Sequence, residues 1–251
     1  IKYFAKKYIA ENNVEKALKW YQKAAAMGDY EAKNKIARIN LHNRLRQSST
    51  NFSSSRSGKI QSKPSNVFRI AVVGEFSRGK SSFINALLGQ RFLPASKSPT
   101  TFVPASITYG EMLEYRIYLK GDSVAQTISQ DEFFAIKPDD DGIADFSFIE
   151  RVEISCPVAF CKDNVEIIDT PGTNDLNVEE NTLVYINTAD AVILMLSAYQ
   201  EALTQSEVQF INDYVIPSIK ADGKNEVYLD GKQFSEALGY ASSVLKFTGA
   251  T

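Results

Sequence analysis

The spacing of apolar residues changes period along this chain, and the changes mark its parts. Ala17, Leu18, Tyr21, Ala24 and Ala25 recur at intervals of three and four, which is one face of a helix. Gly28-Asp29 interrupts the pattern, and Glu31 to Leu41 restarts it. From Gln47 to Asn66 the rhythm is lost; eight of these twenty residues are serine, the composition of a flexible linker. Beyond it, short apolar runs alternate with amphipathic ones. Val67–Val73 predicts a buried strand and Ser82–Gly89 a helix closed by glycine. Phe102–Tyr109 with Tyr115–Lys120 predicts one strand pair, and Arg151–Cys156 with Val165–Ile168 a second. Asp190–Leu196 is nearly continuous in apolar residues, as a strand covered on both faces requires. Thr204–Ile219 predicts a helix with Val208, Phe210, Ile211, Tyr214 and Val215 facing inward. Strand and helix in alternation predict a three-layer α/β domain behind a small α-helical region. The expected division is 1–46 helical, 47–66 linker, 67–222 α/β domain and 223–251 a tail of uncertain assignment.

Chemistry enters at the end of the Val67–Val73 strand. Gly74-Glu75-Phe76-Ser77-Arg78-Gly79-Lys80-Ser81 fits G-x-x-x-x-G-K-[ST], and Ser82 opens the next helix. A strand, a glycine-rich turn and a helix start aim successive backbone N–H groups at one point, which suits phosphate. Lys80 is expected to reach the β- and γ-phosphates and Ser81 Oγ to ligate Mg²⁺. The fold class expected is therefore a P-loop nucleoside triphosphatase. Asp169-Thr170-Pro171-Gly172 follows the apolar run Val165–Ile168. An aspartate at that strand end holds Mg²⁺ through water, and Gly172 lets a backbone N–H approach the γ-phosphate. Between them, Phe92–Pro104 is rich in proline, serine and threonine and reads as a loop. It offers Thr100 or Thr101 to complete the metal and γ-phosphate shell.

These segments resemble bacterial dynamin-like GTPases. The resemblance rests on F-S-x-G-K-S-S-x-I-N-A-L-L-G, on Leu93-Pro94 followed by Pro99-Thr100-Thr101, on Asp190–Ser197 and on Leu203–Glu207, and it spans about Val67 to Lys220. The Thr101-x-x-Pro104 spacing matches the family's switch threonine better than Thr100. The resemblance implies GTP and GDP as ligands, with Mg²⁺ held by Ser81, Thr101 and Asp169. Catalysis would fall to Ser77, Arg78 and Thr101: Ser77 through a monovalent cation and Arg78 as an arginine finger in cis. Phe76 stands where many relatives carry a polar, water-positioning residue. Asn12–Ala32 resembles a Sel1-type helical repeat, of which about one copy is complete.

Composition adds limits. The 251 residues carry a net charge of −2, with +10 over residues 1–66 and −12 over the remainder. A basic arm on an acidic domain suits anionic lipid, nucleic acid or its own acidic neighbour, or simply solvates the helices. Cys156 and Cys161 match no common zinc spacing, and there is one histidine; buried or loosely exposed thiols are expected. Asp139–Gly142 lacks the rest of a calcium loop and reads as an acidic turn. Neither a membrane span nor a signal peptide is legible. With isoleucine first, the chain reads as a fragment or a processed form. The expected partners are a guanine nucleotide, a second copy through a nucleotide-dependent homodimer, and a protein on the helical repeat. Peripheral membrane contact would come through parts outside this chain, nucleic acid is not among the partners, and the location expected is cytoplasmic.

The guanine-reading N/T-K-x-D is missing. Lys220-Ala221-Asp222 keeps only K-x-D, with no apolar strand before it. The tail predicts a strand at Val227–Leu229 and a helix near Phe234–Lys246. Two other readings therefore stay open: a nucleotide-regulated partner-binding module with little turnover, and a P-loop ATPase.

Overall fold

The structure, a computed structural model, describes residues 2–11, 13–50, 66–75, 77–95, 103–136, 145–172, 180–196, 203–215 and 226–228. Three helices come first: α1 (Lys2–Ala10), α2 (Val14–Ala26) and α3 (Tyr30–Thr50). Asn13 caps α2 by accepting from the Lys16 N–H at 3.2 Å. Ala17, Tyr21 and Ala24 are its buried residues, as the period of three and four requires. The small alanines let α1 and α3 approach, and Trp20 stacks on Phe4 at 4.9 Å between ring centroids. Helix α3 continues to Thr50, four residues into the segment expected to be linker.

The α/β domain contains β1 (Phe68–Val73), α4 (Lys80–Leu88), β2 (Ala105–Tyr109), β3 (Glu114–Leu119), β4 (Gln126–Ile128), α5 (Gln130–Ala135), β5 (Ile149–Cys156), β6 (Val165–Asp169), α6 (Glu180–Asn187), β7 (Ala191–Leu194), α7 (Gln205–Phe210) and β8 (Glu226–Tyr228). Its strands form one mixed sheet in the order β4-β3-β5-β2-β6-β1-β7-β8. Both expected strand pairs are corrected by this order. β5 lies between β2 and β3, and β2 lies between β5 and β6. Period-2 patterning tells which face of a strand is buried but not which strand lies beside it. β4 and the capping-boxed α5 were not foreseen; both are short, three and six residues.

β6, β1 and β7 run parallel, with Val72 opposite Asp169 and Val73 opposite Leu194. Their C-terminal ends therefore finish side by side, where open α/β sheets bind ligands. β1 serves both faces: Val72 belongs to the core that holds Ile84 and Leu88 of α4, while Ala71 and Val73 join Ile186, Phe210 and Val215 on the other. Helix α7 corrects one expected inward residue. Val208 is exposed and Glu207 is buried in its place, while Phe210 and Val215 do face the core. The strand expected at Val227–Leu229 is β8, parallel to β7. Residues 137–144, with the acidic turn, and the helix expected at Phe234–Lys246 lie outside the described residues.

Helix α3 also packs against the α/β domain. Leu41 and Leu45 are buried, and His42 lies edge-on to Phe146 and Phe148 at 5.8 and 5.6 Å. Arg44 reaches Glu132 of α5 at 2.9 Å. The helices share the hydrophobic core of the sheet's α4 face.

Candidate nucleotide site

Gly74 leaves β1 at φ 147°, and a Cβ there would stand 2.5 Å from the Met195 carbonyl oxygen. Only glycine lets the loop pass so close to the end of β7, which is also tied to β1 by the Met195 N–H to Val73 carbonyl bond at 2.8 Å. Ser77 at φ 58° and Gly79 at φ 85° then turn the chain through left-handed backbone into α4. Gly79 supplies no side-chain cap, so the first N–H groups of α4 are left for an anion.

Lys80 folds back over this turn. Its Nζ donates to the Gly74 and Glu75 carbonyls at 2.9 and 3.0 Å. Burial lowers its pKa to about 8; Asp169 and Glu75 raise it, and the charge of Arg78 lowers it further. Beside it, Ser81 Oγ donates to Asp169 Oδ2 at 2.7 Å. The carboxyl sits at the end of β6 and is fully buried. Thr170 fixes the next residue by donating from Oγ1 to the Val72 carbonyl at 2.8 Å. A serine hydroxyl and a carboxylate, hard oxygen donors meeting at the phosphate loop, fit Mg²⁺.

A second set of contacts was not foreseen. Glu75 Oε1 accepts from Thr204 Oγ1 at 2.7 Å and from Ser206 Oγ. Its Oε2 accepts from Arg78, whose Nε donates to Glu207 Oε1 at 3.1 Å. Burial raises the Glu75 carboxyl, but hydrogen bonds from Ser206, Thr204 and Arg78 outweigh it and leave the pKa low. Thr204 and Glu207 also form the capping box of α7. The T-x-x-E spacing in Leu203–Glu207 is a legible start signal for a helix. Nothing in that spacing points to the phosphate loop.

The structure thus brings Gly74, Glu75, Ser77, Arg78, Gly79, Lys80, Ser81 and Asp169 into one place, with Ser82 exposed on α4 and Gly172 half-buried after β6. Phe76, Thr100 and Thr101 lie outside the described residues. The segment before the threonines is anchored: Asn85 of α4 accepts the Phe92 and Leu93 N–H groups, each at 2.9 Å, and donates to the Leu93 carbonyl at 2.9 Å. On the far side, the Pro104 carbonyl accepts from Val152 of β5 at 3.0 Å. Cys156 and Cys161 are free and buried, and burial pushes their thiols up to about 11 and about 12.

Residues 70–221 match the model of the dynamin family. The chain belongs to the dynamin family. Its dynamin-like G domain is a P-loop GTPase, and so an enzyme. The chain is 28% identical over 159 residues to the bacterial dynamin-like protein of Nostoc punctiforme, covering 59% of this chain and 23% of that protein. It is 27% identical over an alignment of 270 residues to dynamin-like protein 1 of Campylobacter jejuni, covering 90% and 36%. A probable transmembrane GTPase, FZO-like and chloroplastic, from Arabidopsis thaliana is 29% identical over 178 residues, covering 69% and 17%. The chain thus spans about a third or less of the length of these relatives. Among the described residues, no helix is long and apolar enough to cross a membrane.

Proposed function

We propose that this dynamin-family domain hydrolyses GTP in an Mg²⁺-dependent reaction, with Lys80 on the phosphates and Ser81, Thr101 and Asp169 around the metal. The observation that carries it is the 2.7 Å contact between Ser81 and Asp169 beside Lys80. Phosphoryl transfer of this kind needs positioning and charge stabilisation rather than a covalent protein intermediate. Bound Mg²⁺ supplies neutralisation of the charge shared by the β- and γ-phosphates. The N–H groups of the 74–82 loop bind and orient the phosphates. Gly172 would let a backbone N–H approach the γ-phosphate, and Thr101 would complete the set of residues holding the metal. Ser77, with a monovalent cation, and Arg78 stabilise charge on the β–γ bridge. Phe76, apolar where many relatives are polar, keeps intrinsic turnover slow.

Titration with GTP, GDP and ATP, each with and without Mg²⁺, tests this reading, together with a turnover assay on the same sample. Guanine preference with Mg²⁺-dependent turnover is expected, despite the missing N/T-K-x-D. A clear preference for ATP overturns it.

A second role belongs to the helices. Tyr3, Met27 and Tyr30 are exposed on the α1–α3 unit, and Asn12–Ala32 carries Sel1-like wording. This favours a partner-binding repeat whose occupancy is regulated by the nucleotide. Homodimerisation through the G domain, a cytoplasmic location and peripheral membrane remodelling complete the proposal, the last assigned to the whole protein of which this domain is part.

A further inference from the structure

The guanidinium of Arg78 is enclosed by two carboxylates from different parts of the chain. Glu75 comes from the phosphate loop itself, and Glu207 from the first turn of α7, 129 residues from Arg78. All three side chains are largely buried; Glu207 is 3% exposed and Arg78 15%. We propose that Glu75 and Glu207 form a clamp that holds Arg78 back from the phosphates, with α7 as the handle that releases it. This inference rests on the reading of Arg78 as a charge-stabilising arm.

Three features of the geometry support it. Arg78 donates through Nε and through one terminal nitrogen to these carboxylates, so two of its five N–H donors are committed before any phosphoryl oxygen arrives. Burial of the pair offsets its own Coulomb gain by desolvation, but removing one partner leaves the other charge uncompensated, so Arg78 leaves the clamp only for another anion. Next, the negative charge at position 207 is more than the helix needs. Glu207 Oε2 alone closes the capping box, accepting from the Thr204 N–H at 2.8 Å, and glutamine serves that role as well. The remaining oxygen, Oε1, is the one on Arg78. Last, among the described residues, the anchors of the clamp outside the loop all lie on the start of α7. Thr204 and Ser206 hold Glu75 while Glu207 holds Arg78 directly. A displacement of that helix start loosens both carboxylates together.

The test is steady-state GTP turnover for the protein and for Glu207→Gln, Ser206→Ala, Arg78→Ala and the Arg78→Ala/Glu207→Gln double variant. Glu207→Gln is expected to raise turnover about three- to tenfold. Ser206→Ala, which removes one donor from Glu75, should raise it by less. The gain should vanish in the Arg78→Ala background. A gain from general loosening would persist in the Arg78→Ala background, whereas a gain from the clamp would not, and circular dichroism on each variant confirms folding. If Glu207→Gln does not fold, Ser206→Ala carries the test. Turnover at or below that of the unaltered protein in the clamp variants, with Arg78→Ala slow, overturns the clamp and leaves Arg78 in its role. A gain that persists without Arg78 also overturns it. Unchanged turnover in Arg78→Ala overturns both the clamp and the reading on which it rests.

Discussion

Ser81 Oγ meets Asp169 Oδ2 at 2.7 Å, although the two residues stand 88 positions apart. The contact follows from the register of two parallel strands. Val72 lies opposite Asp169, so the loop leaving β1 returns its helix to the end of β6. Replacing either residue removes a donor or an acceptor from a buried place. Asp169→Ala is expected to lower Mg²⁺-dependent hydrolysis by about two orders of magnitude or more, with a smaller effect on GDP affinity. Ser81→Ala should also cost about 1–3 kcal/mol of stability without nucleotide, because a buried carboxylate loses a donor. Equal losses of GDP binding and hydrolysis in Asp169→Ala would place the carboxylate on the wrong phosphate.

Lys80, proposed to lie on the phosphates, is expected to make nucleotide affinity depend on pH. Its pKa in the folded protein is about 8, below the ordinary lysine value of 10.5. Between those values the unfolded chain binds more protons than the folded one, so stability rises with pH across that window. Phosphates favour the charged amine, so binding above pH 8 must be accompanied by proton uptake. Affinity is therefore expected to weaken as pH rises past about 8. Calorimetry in buffers of different ionisation heat measures the uptake directly. Lys80→Ala should bind nucleotide far more weakly, lose the pH dependence and be no less stable without ligand.

Asn85 ties α4 to Phe92 and Leu93, which precede the proposed switch residues Thr100 and Thr101 in the chain. It is expected that Asn85→Ala lowers GTP turnover more than GDP affinity, since the proposed γ-phosphate contact of Thr101 follows that segment in the chain. Two buried or half-buried N–H groups lose their acceptor, for about 1–3 kcal/mol of stability. Thr101→Ala should show the same split more strongly. If Thr100→Ala shows it and Thr101→Ala does not, the metal shell is closed by Thr100.

The helices and the sheet share one core through Leu45, His42 and Phe146. Leu45→Ala is expected to cost about 2–5 kcal/mol and to lower a single melting transition. Two resolved transitions, only one of them shifted, would mark residues 1–46 as the independently folding unit that composition suggests.

The phosphate loop, the Asp169–Gly172 turn and the two halves of the architecture were legible from the chain alone. Each depends on residues close together in sequence: a glycine where φ is positive, a lysine and serine at a helix start, apolar residues at a helical or strand period. Such features are set by local sterics and hydrogen bonding, so order and spacing carry them. The strand order was not legible. β2 separates β5 from β6, and β5 separates β2 from β3, because neighbours in a sheet are chosen by packing across the whole core. The place of Glu207 was hidden for the same reason. Its capping box is local and visible, but burial of its second oxygen against Arg78 exists only once α7 is laid beside the phosphate loop. Likewise nothing in the period of α3 shows that Arg44 will meet Glu132. Local chemistry is determined by the sequence of neighbours, whereas a contact across 88 or 129 positions is decided by which surfaces the folded core brings together.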